Sequence, residues 1–216
     1  MTVWDSYFHN NDEAVKRSAS QVFDRKICPC YHLEAIETVH PYKCITFTLH
    51  CLTSGEPVKI AVISDTHVSS IEELPPSLLP RLHKSDIVVH LGDYTGRKLV
   101  YDLQNLGNFY GVYGNMDSAS IRETLPETRI IEVNGKRLGL IHGQGAPWGI
   151  AQRIKARFEQ VDAILYGHTH FPRKDFHDGI LFFNPGSATG KFPATRKTYG
   201  ILSIDETIQG EIQTIK

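Results

Sequence analysis

Long apolar runs, a large net charge and cysteines beyond position 51 are all missing from this 216-residue chain. No stretch approaches the roughly 20 apolar residues that a membrane helix requires, so no transmembrane span is expected. The start, MTVWDSYFHNNDEAV, has early acids and no long apolar segment, which argues against a secretory signal. A formal net charge of −1 gives no electrostatic reason to expect a nucleic-acid or membrane partner. We therefore expect a cytoplasmic protein.

The four cysteines lie at positions 28, 30, 44 and 51. Because the rest of the chain has none, disulfides are not expected to hold it together. Their spacing, C-x-C followed by C-x6-C, matches none of the standard zinc patterns, so reduced cysteines are favoured over a structural zinc site. Residues 1–56 are interpreted as an N-terminal extension of open role. It contains a candidate helix at 13–23 and a candidate strand at 44–52.

Residues 57–216 have the pattern of an α/β domain. Predicted strands at 58–64, 86–91 and 109–113 alternate with predicted helices at 71–82 and 97–105, which favours a parallel sheet. Pro75-Pro76 loosen the start of the first of these helices. Beyond residue 117, Asn134-Gly135 and Asp178-Gly179 each separate two short runs, and these dipeptides are strong hairpin signals. A helix at 148–158, a strand at 163–166 and an antiparallel pair at 198–204 and 208–215 complete the predicted elements.

Five short polar motifs each follow an apolar run. They are DTH at 65–67, GD at 92–93, GNMD at 114–117, HG at 142–143 and GHTH at 167–170. In open α/β sheets ligands bind outside the carboxyl ends of the strands, so five such strand ends predict one common site. Its candidate ligands are Asp65, His67, Asp93, Asn115, His142, His168 and His170.

Seven oxygen and imidazole ligands are too many for one tetrahedral ion, whereas two divalent ions that share a carboxylate would use them all. Asp93 is the candidate bridge, because Gly92 before it permits close approach. The mixed ligand set suits Mn²⁺, Fe²⁺, Zn²⁺ or Co²⁺ better than Ca²⁺ or Mg²⁺. Two such ions would make hydroxide available near neutral pH and polarise phosphoryl oxygens.

Each motif taken singly also has a purely structural explanation. Asp65 and Asp93 could cap helices, and His142 could lie in a turn. Independent capping gives no reason for this ligand chemistry at five strand ends, so the metal site is favoured. His90 is interpreted as a core histidine. The NPGS segment at 184–187 is interpreted either as a tight turn or as backbone that lines the site near the metals. The loop at 190–197 is interpreted either as a solvated loop or as an edge of the site that attracts phosphate.

The ordered motifs resemble those of the calcineurin-like metallophosphoesterases. With NPGS at 184–187, the chain is similar to their small single-domain bacterial and archaeal phosphodiesterases, relatives of the retromer scaffold subunit. The resemblance covers about residues 58–216 and implies a four-layer α/β/β/α sandwich of two mixed sheets with outer helices. It implies phosphodiester hydrolysis by in-line attack of a metal-bridging hydroxide, often with Mn²⁺ or Ni²⁺. It assigns Asp65, His67, Asp93 and His170 to one metal and Asp93, Asn115, His142 and His168 to the other.

Many members of the wider superfamily carry a histidine where this chain has Met116, and that histidine can protonate the leaving group. The small-phosphodiesterase subgroup also lacks it. Without this proton donor we expect aryl phosphodiesters to be hydrolysed far faster than alkyl ones. The residues assigned to catalysis are Asp93, Asn115, Asp117 and His142, with Asp117 orienting His142 or Asn115.

The expected partner is a small phosphodiester substrate, and a homodimer is left open because relatives are often dimers. One alternative is a phosphomonoesterase or nucleotidase on the same site. For that reaction the sequence offers few cations beyond the metals, namely Arg97, Lys98 and the 191–197 loop. The other alternative is a non-catalytic interaction scaffold. The presence of ligating side chains at all seven positions argues against it.

Overall fold

The structure is a computed structural model that describes the backbone of residues 31–36 and 46–51 and the whole of residues 56–216. Its strands are β1 Tyr31–Ile36, β2 Thr46–Cys51, β3 Val58–Ile63, β4 Ile87–His90, β5 Phe109–Gly111, β6 Thr128–Val133, β7 Lys136–Ile141, β8 Ala163–Tyr166, β9 Arg173–His177, β10 Ile180–Asn184, β11 Thr198–Ile204 and β12 Ile208–Thr214. Its helices are a 3₁₀ turn at Ile71–Glu73 and the α-helices α1 Leu79–His83, α2 Arg97–Gln104, α3 Ala119–Thr124 and α4 Ile150–Lys155.

The strands form two mixed sheets. The five-stranded sheet has the order β12-β11-β3-β4-β5, in which β3, β4 and β5 are parallel and β11 runs antiparallel to β3. The seven-stranded sheet has the order β1-β2-β6-β7-β8-β10-β9, in which β7, β8 and β10 are parallel. Parallel neighbours in both sheets bring several strand ends to one edge, which is the arrangement that the site requires.

Both predicted hairpins are present. Strands β6 and β7 pair antiparallel around Asn134-Gly135, and β9 and β10 pair antiparallel around Asp178-Gly179. The φ angles are 48° at Asn134 and 72° at Gly135, and 51° at Asp178 and 77° at Gly179. Two successive left-handed residues are the signature of a type I′ turn, whose twist matches that of the flanking strands.

Side-chain alternation along β3 divides the core into layers. Ile60 and Val62 belong to a buried cluster between the two sheets, whereas Ala61 and Ile63 belong to a second cluster under the helices. A third cluster covers the outer face of the seven-stranded sheet. The helices contribute Leu99, Val100 and Leu103 of α2 to the second cluster and Ile150 and Ile154 of α4 to the third. The predicted α/β/β/α sandwich is therefore confirmed.

The helices differ from the prediction in extent. The helix predicted at 71–82 is instead the 3₁₀ turn and the short α1, because Pro75 and Pro76 interrupt it. Leu74, before the first proline, is extended with φ −69° and ψ 151°, as the proline ring demands. Helix α4 is shorter than the predicted 148–158 and follows Gly149, which is left-handed. Helix α3 was not predicted.

Strands β1 and β2 lie in the stretch interpreted as an extension. Strand β2 falls inside the predicted strand at 44–52 and pairs in parallel with β6, with Thr46 opposite Ile130. The candidate helix at 13–23 and the cysteine side chains lie outside the described residues, and the division at residue 56 stays a prediction. Within the described parts of the chain, no helix is both long and apolar enough to cross a membrane.

Candidate metal centre

The polar motifs follow the carboxyl ends of strands from both sheets. Strands β3, β4 and β5 carry three of them, and β7 and β8 carry the other two. Side-chain distances of 4.0 Å or less link the seven candidate ligands into one connected group. The predicted convergence of five strand ends is thus present in the geometry.

The first ligand group is buried at the β3 side. The ligand atoms of Asp65, His67, Asp93 and His170 all lie within 4.8 Å of one another. His170 Nε2 is 3.2 Å from Asp65 Oδ1 and 3.3 Å from His67 Nε2, and His67 Nε2 is 3.6 Å from Asp93 Oδ2. Two carboxylates and two imidazoles in this space form a metal-binding cluster suited to a transition-metal cation.

The second ligand group adjoins the first. Asn115 Oδ1 lies 3.1 Å from His142 Nε2 and 2.9 Å from His168 Nδ1. His142 Nε2 is 3.4 Å from Asp93 Oδ2. The same Asp93 oxygen therefore faces both groups, while Asp93 Oδ1 accepts a hydrogen bond from the Met116 N–H at 2.9 Å.

In three of the histidines, a hydrogen bond to a backbone carbonyl determines which ring nitrogen is left to face the ligand cluster. His142 Nδ1 lies 2.6 Å from the Leu91 carbonyl oxygen, and His170 Nδ1 lies 2.9 Å from that of Lys191. In His168 the two ring nitrogens exchange these roles, because Nε2 is the one that lies 2.8 Å from a carbonyl oxygen, that of Gly145. Since a carbonyl only accepts, the nitrogen beside it carries the hydrogen, and in the neutral ring the other nitrogen keeps its lone pair for a metal.

Charges within the site shift the pKa of its central pair in opposite directions. Burial tends to raise the pKa of Asp93, but the hydrogen bond and charge of His142, the Met116 N–H bond and the charge of His67 together lower that pKa to about 2. Burial tends to lower the pKa of His142, but its bond to Asp93 and the charges of Asp65 and Asp93 raise it to about 9. The buried carboxylates of Asp65 and Asp93 therefore favour a positive charge beside them. In the metal-free site, protonation of His142 provides that charge.

Comparison with known proteins identifies the family. The calcineurin-like phosphoesterase superfamily domain matches residues 58–207. The chain belongs to this superfamily. A probable metallophosphoesterase of Methanocaldococcus jannaschii is 35% identical over 154 residues, which cover 69% of this chain and 77% of that protein.

Solved structures agree with this phosphoesterase assignment. The Thermotoga maritima protein TM1076 is 34% identical, with a TM-score of 0.58, and the match covers 73% of this chain and 99% of that one. Vps29 of Entamoeba histolytica, solved in complex with Zn²⁺, is 28% identical with a TM-score of 0.58 and the same coverage of both chains. The chain is therefore a metallophosphoesterase by family, with a buried Asp/His cluster of the kind that holds divalent metal.

Strained backbone distinguishes the ligand positions of this phosphoesterase. Non-glycine residues with positive φ include five of the seven candidate ligands. These are Asp65 at 51°, His67 at 48°, Asp93 at 61°, His168 at 70° and His170 at 61°. Such conformations cost about 1–3 kcal/mol each and persist where the surroundings enforce them, typically at functional sites.

Two motif glycines are required by close approach between loops. A Cβ on Gly114 would lie 2.6 Å from the Asp93 backbone nitrogen, and a Cβ on Gly92 would lie 2.8 Å from His142 Nδ1. Gly92 also has φ 97°, which L side chains rarely adopt. The glycine in each of these motifs therefore makes room for the ligand of another motif.

The NPGS segment connects the ligand loops. Asn184 Nδ2 donates to the Gly167 carbonyl oxygen at 2.8 Å, and Ser187 Oγ donates to that of Asp65 at 2.7 Å. The N–H of Gly186 donates to Asn184 Oδ1 at 2.8 Å, which forms the expected tight turn. Beyond being a turn, the segment holds the Asp65 and His168 loops together.

His90 is buried, as the sequence indicated. Its Nδ1 accepts from the Gly92 N–H at 3.1 Å, and its Nε2 lies 3.0 Å from Thr66 Oγ1. The ring stacks on Tyr94 with 3.8 Å between centroids. Complete burial holds the pKa of His90 well below its usual value, so the ring is neutral and links two motif loops.

Asp117 lies among the motif loops rather than against the ligand side chains named for it. Its carboxylate accepts from the backbone N–H groups of Asp93, Tyr94 and Gly114 at 2.7–3.0 Å. Sequence reasoning did not identify Arg122 or Arg153. Arg122 Nη2 donates to the Asn115 carbonyl oxygen at 2.9 Å, and Arg153 holds the loop after His142. Carbonyl partners leave no motif in a sequence, so nothing in it pointed to these two arginines.

Proposed function

We propose that this protein is a phosphodiesterase that works with two divalent metal ions, Mn²⁺ first, with Ni²⁺, Fe²⁺, Zn²⁺ and Co²⁺ as alternatives. The position of Asp93 between the two ligand groups is the main support for this proposal. Asp93 Oδ2 lies 3.6 Å from His67 Nε2 of the first ligand group and 3.4 Å from His142 Nε2 of the second. A carboxylate common to two ligand groups is the simplest bridge between two cations.

The ligand sets are suited to such a pair. Asp65, His67, Asp93 and His170 would hold one ion, and Asp93, Asn115, His142 and His168 would hold the other. When bound, the two ions would lower the pKa of a water between them and stabilise the negative charge that develops on the phosphoryl oxygens.

The chain's own residues prepare the site for that role. In the neutral rings that would bind metal, the carbonyl oxygens of Leu91, Lys191 and Gly145 keep the one hydrogen on the nitrogen beside them, so the lone pairs would face the cluster. The bond from the Met116 N–H orients the Asp93 carboxylate. These contacts exist before any substrate arrives, so little reorganisation is needed during the reaction.

At position 116 the chain offers the leaving group no proton donor. Met116 occupies the position at which a proton donor could act, and its side chain is 66% exposed. Because a thioether cannot donate a proton, ester oxygens that leave easily as anions are favoured. Aryl phosphodiesters are the substrates that fit this arrangement best.

The surroundings of the first ligand group favour a diester over a monoester dianion. Lys98 forms ion pairs with Glu72 at 3.1 Å and Asp102 at 2.8 Å, and Arg97 stacks on Tyr101. The side chains of Lys98 and Arg97, both on helix α2, are therefore already paired with other residues of the chain. Lys191 lies beside the first ligand group and adds, after burial, to the lowering of the pKa of His67. Around the first ligand group, this single lysine suits the single charge of a diester better than the double charge of a monoester.

The deciding experiment is hydrolysis of an aryl phosphodiester and its matched monoester by metal-stripped protein, with Mn²⁺, Ni²⁺, Zn²⁺ or Mg²⁺ added back in turn. Metal bound per chain is measured on the same samples. Two ions per chain and restored turnover that is faster on the diester would support the proposal. Faster monoester turnover would replace it with a phosphomonoesterase. Folded protein without bound metal or turnover would indicate a scaffold.

A further inference from the structure

A pocket of about 260 Å³ adjoins the second ligand group. Asn115, His142 and Gly143 contribute to its wall, so the pocket and the metal centre are continuous. Most of the remaining wall consists of Tyr113, two isoleucines, three arginines and one glutamate. The arginines and the glutamate are Arg122, Arg153, Arg157 and Glu127.

The charges of this wall do not cancel. Arg157 Nη1 lies 2.9 Å from Glu127 Oε1, so these two form an ion pair. Arg122 instead donates to the carbonyl oxygens of Asp117 and Asn115, both at 2.9 Å, and its guanidinium lies 5.3 Å from the centre of the Tyr113 ring. A carbonyl oxygen holds a guanidinium in place but carries no net charge to neutralise it.

Arg153 is held in the same way by a turn of the chain. It donates to the carbonyl oxygens of Trp148 at 3.1 Å, Gln144 at 3.2 Å and Ala146. Two fixed guanidiniums thus line a pocket whose single carboxylate is paired with a third. Such an arrangement favours an anion, because a planar guanidinium matches the geometry of phosphate and carboxylate oxygens.

We propose that this pocket receives a second anionic group of the substrate, a phosphate or carboxylate carried on one ester arm of the phosphodiester. The inference rests on the proposed phosphodiesterase function. The pocket volume is below the roughly 300–1,000 Å³ of sites that enclose drug-sized ligands, so it suits a small charged group. Tyr113, Ile141 and Ile154 offer apolar surface to the carbons that join this group to the reacting ester.

A purely structural role of the two arginines makes a different prediction. Arg122 holds the backbone of Asn115, and Arg153 holds the loop whose Gly145 carbonyl bonds to His168. If support of these ligands were their whole role, their replacement would slow charged and uncharged substrates equally. A pair of substrates that differ only in the distal charge separates the two roles.

The test uses 4-nitrophenyl phosphodiesters with a common leaving group and three different second arms: propyl, 3-phosphonopropyl and 3-carboxypropyl. The proteins are metal-loaded wild type, Arg122→Gln, Arg153→Gln and the control Arg81→Gln, whose side chain is exposed outside the pocket. We expect wild type and the control to favour at least one charged arm about tenfold or more in kcat/KM. Each pocket variant should lose most of this preference.

The proposal would be overturned if the wild-type ratio of kcat/KM for charged and uncharged arms were near one. It would also be overturned if both pocket variants kept the wild-type ratio. Preference for the phosphonate arm over the carboxylate arm would identify the anionic group as phosphate, and the reverse order would identify a carboxylate.

A second measurement does not depend on turnover. Inorganic phosphate is titrated into metal-stripped protein while the arginine Nε–H signals are followed by NMR. We expect the Arg122 and Arg153 signals to shift with saturation while the Arg81 signal stays in place. If wild type hydrolyses no diester but these signals shift, the phosphodiesterase proposal fails and the anion pocket stands. If phosphate moves neither signal, the pocket proposal fails.

Discussion

The carboxylate of Asp117 holds the backbone of Asp93. Asp117 Oδ2 accepts from the Asp93 N–H at 3.0 Å and from the Gly114 N–H at 2.7 Å, and Oδ1 accepts from the Tyr94 N–H at 2.7 Å. One buried carboxylate therefore ties the loop after β4 to the loop after β5. These two loops carry Asp93, which faces both ligand groups, and Asn115, which belongs to the second group.

Replacement Asp117→Asn should weaken both the fold and metal binding. An amide has one oxygen for three donors, and its NH₂ group would face a backbone N–H. We expect a loss of about 1–3 kcal/mol in the free energy of unfolding and roughly 10–100-fold in metal affinity. Urea unfolding and metal titration measure the two effects. Asp205→Asn, in an exposed turn, is the matched control, and equal behaviour of both variants would contradict the assigned role.

Replacement Asp93→Asn should remove the charge that both ligand groups face. We expect metal affinity to fall about 100-fold or more and turnover of an aryl phosphodiester to fall with it, because a lost ligand costs more than a lost supporting residue. Metal content and kcat/KM are measured together. Asp178→Asn, whose carboxylate is exposed, controls for the change of charge. Turnover within about twofold of wild type would exclude Asp93 as the bridge.

Metal binding should strengthen as the pH rises toward about 9. Burial opposes protonation of His142, but Asp93 and Asp65 outweigh it and raise the pKa of His142 to about 9. Below that pH the metal-free ring carries a proton that the metal must displace, so affinity should fall by about tenfold per pH unit. Calorimetric titration of Mn²⁺ in buffers of different ionisation enthalpy counts the released proton.

The variant His142→Gln is the control for this pH dependence. It removes the titrating ring, so its metal binding should be weaker and should release less proton. A wild-type affinity that is flat across the two pH units below 9 would show that His142 binds no proton in the metal-free protein.

Replacement Met116→His should change leaving-group preference. Wild type should hydrolyse aryl phosphodiesters far faster than alkyl ones, and a histidine at this exposed position can supply the missing proton. We expect the ratio of alkyl to aryl kcat/KM to rise about tenfold or more. Met116→Gln, similar in size but without a titratable proton, should leave the ratio unchanged. An equal rise in both variants would refute proton donation.

The sequence predicted local features better than distant contacts. Apolar runs located β3, β4, β7 and β8, and Asn134-Gly135 and Asp178-Gly179 located both hairpins, because these signals depend on neighbouring residues. The helix predicted at 71–82, with its start loosened by two prolines, is in part correct: the prolines divide it into a 3₁₀ turn at 71–73 and the short helix α1. The extents of α4 and β5 were overestimated, since element boundaries depend on capping and packing as well as on pattern.

The sequence by itself determined the ligand chemistry, since Asp, Asn and His at strand ends are visible without coordinates. Only the tertiary structure decided which atoms meet. Asp93 Oδ2 faces both His67 and His142 because two sheets pack with their strand ends on one edge, and alternation along a strand carries no information about the opposite sheet. The same packing placed Arg122 and Arg153 in one pocket wall. Contacts between residues distant in sequence are set by the packed core, and they decided the arrangement of this site.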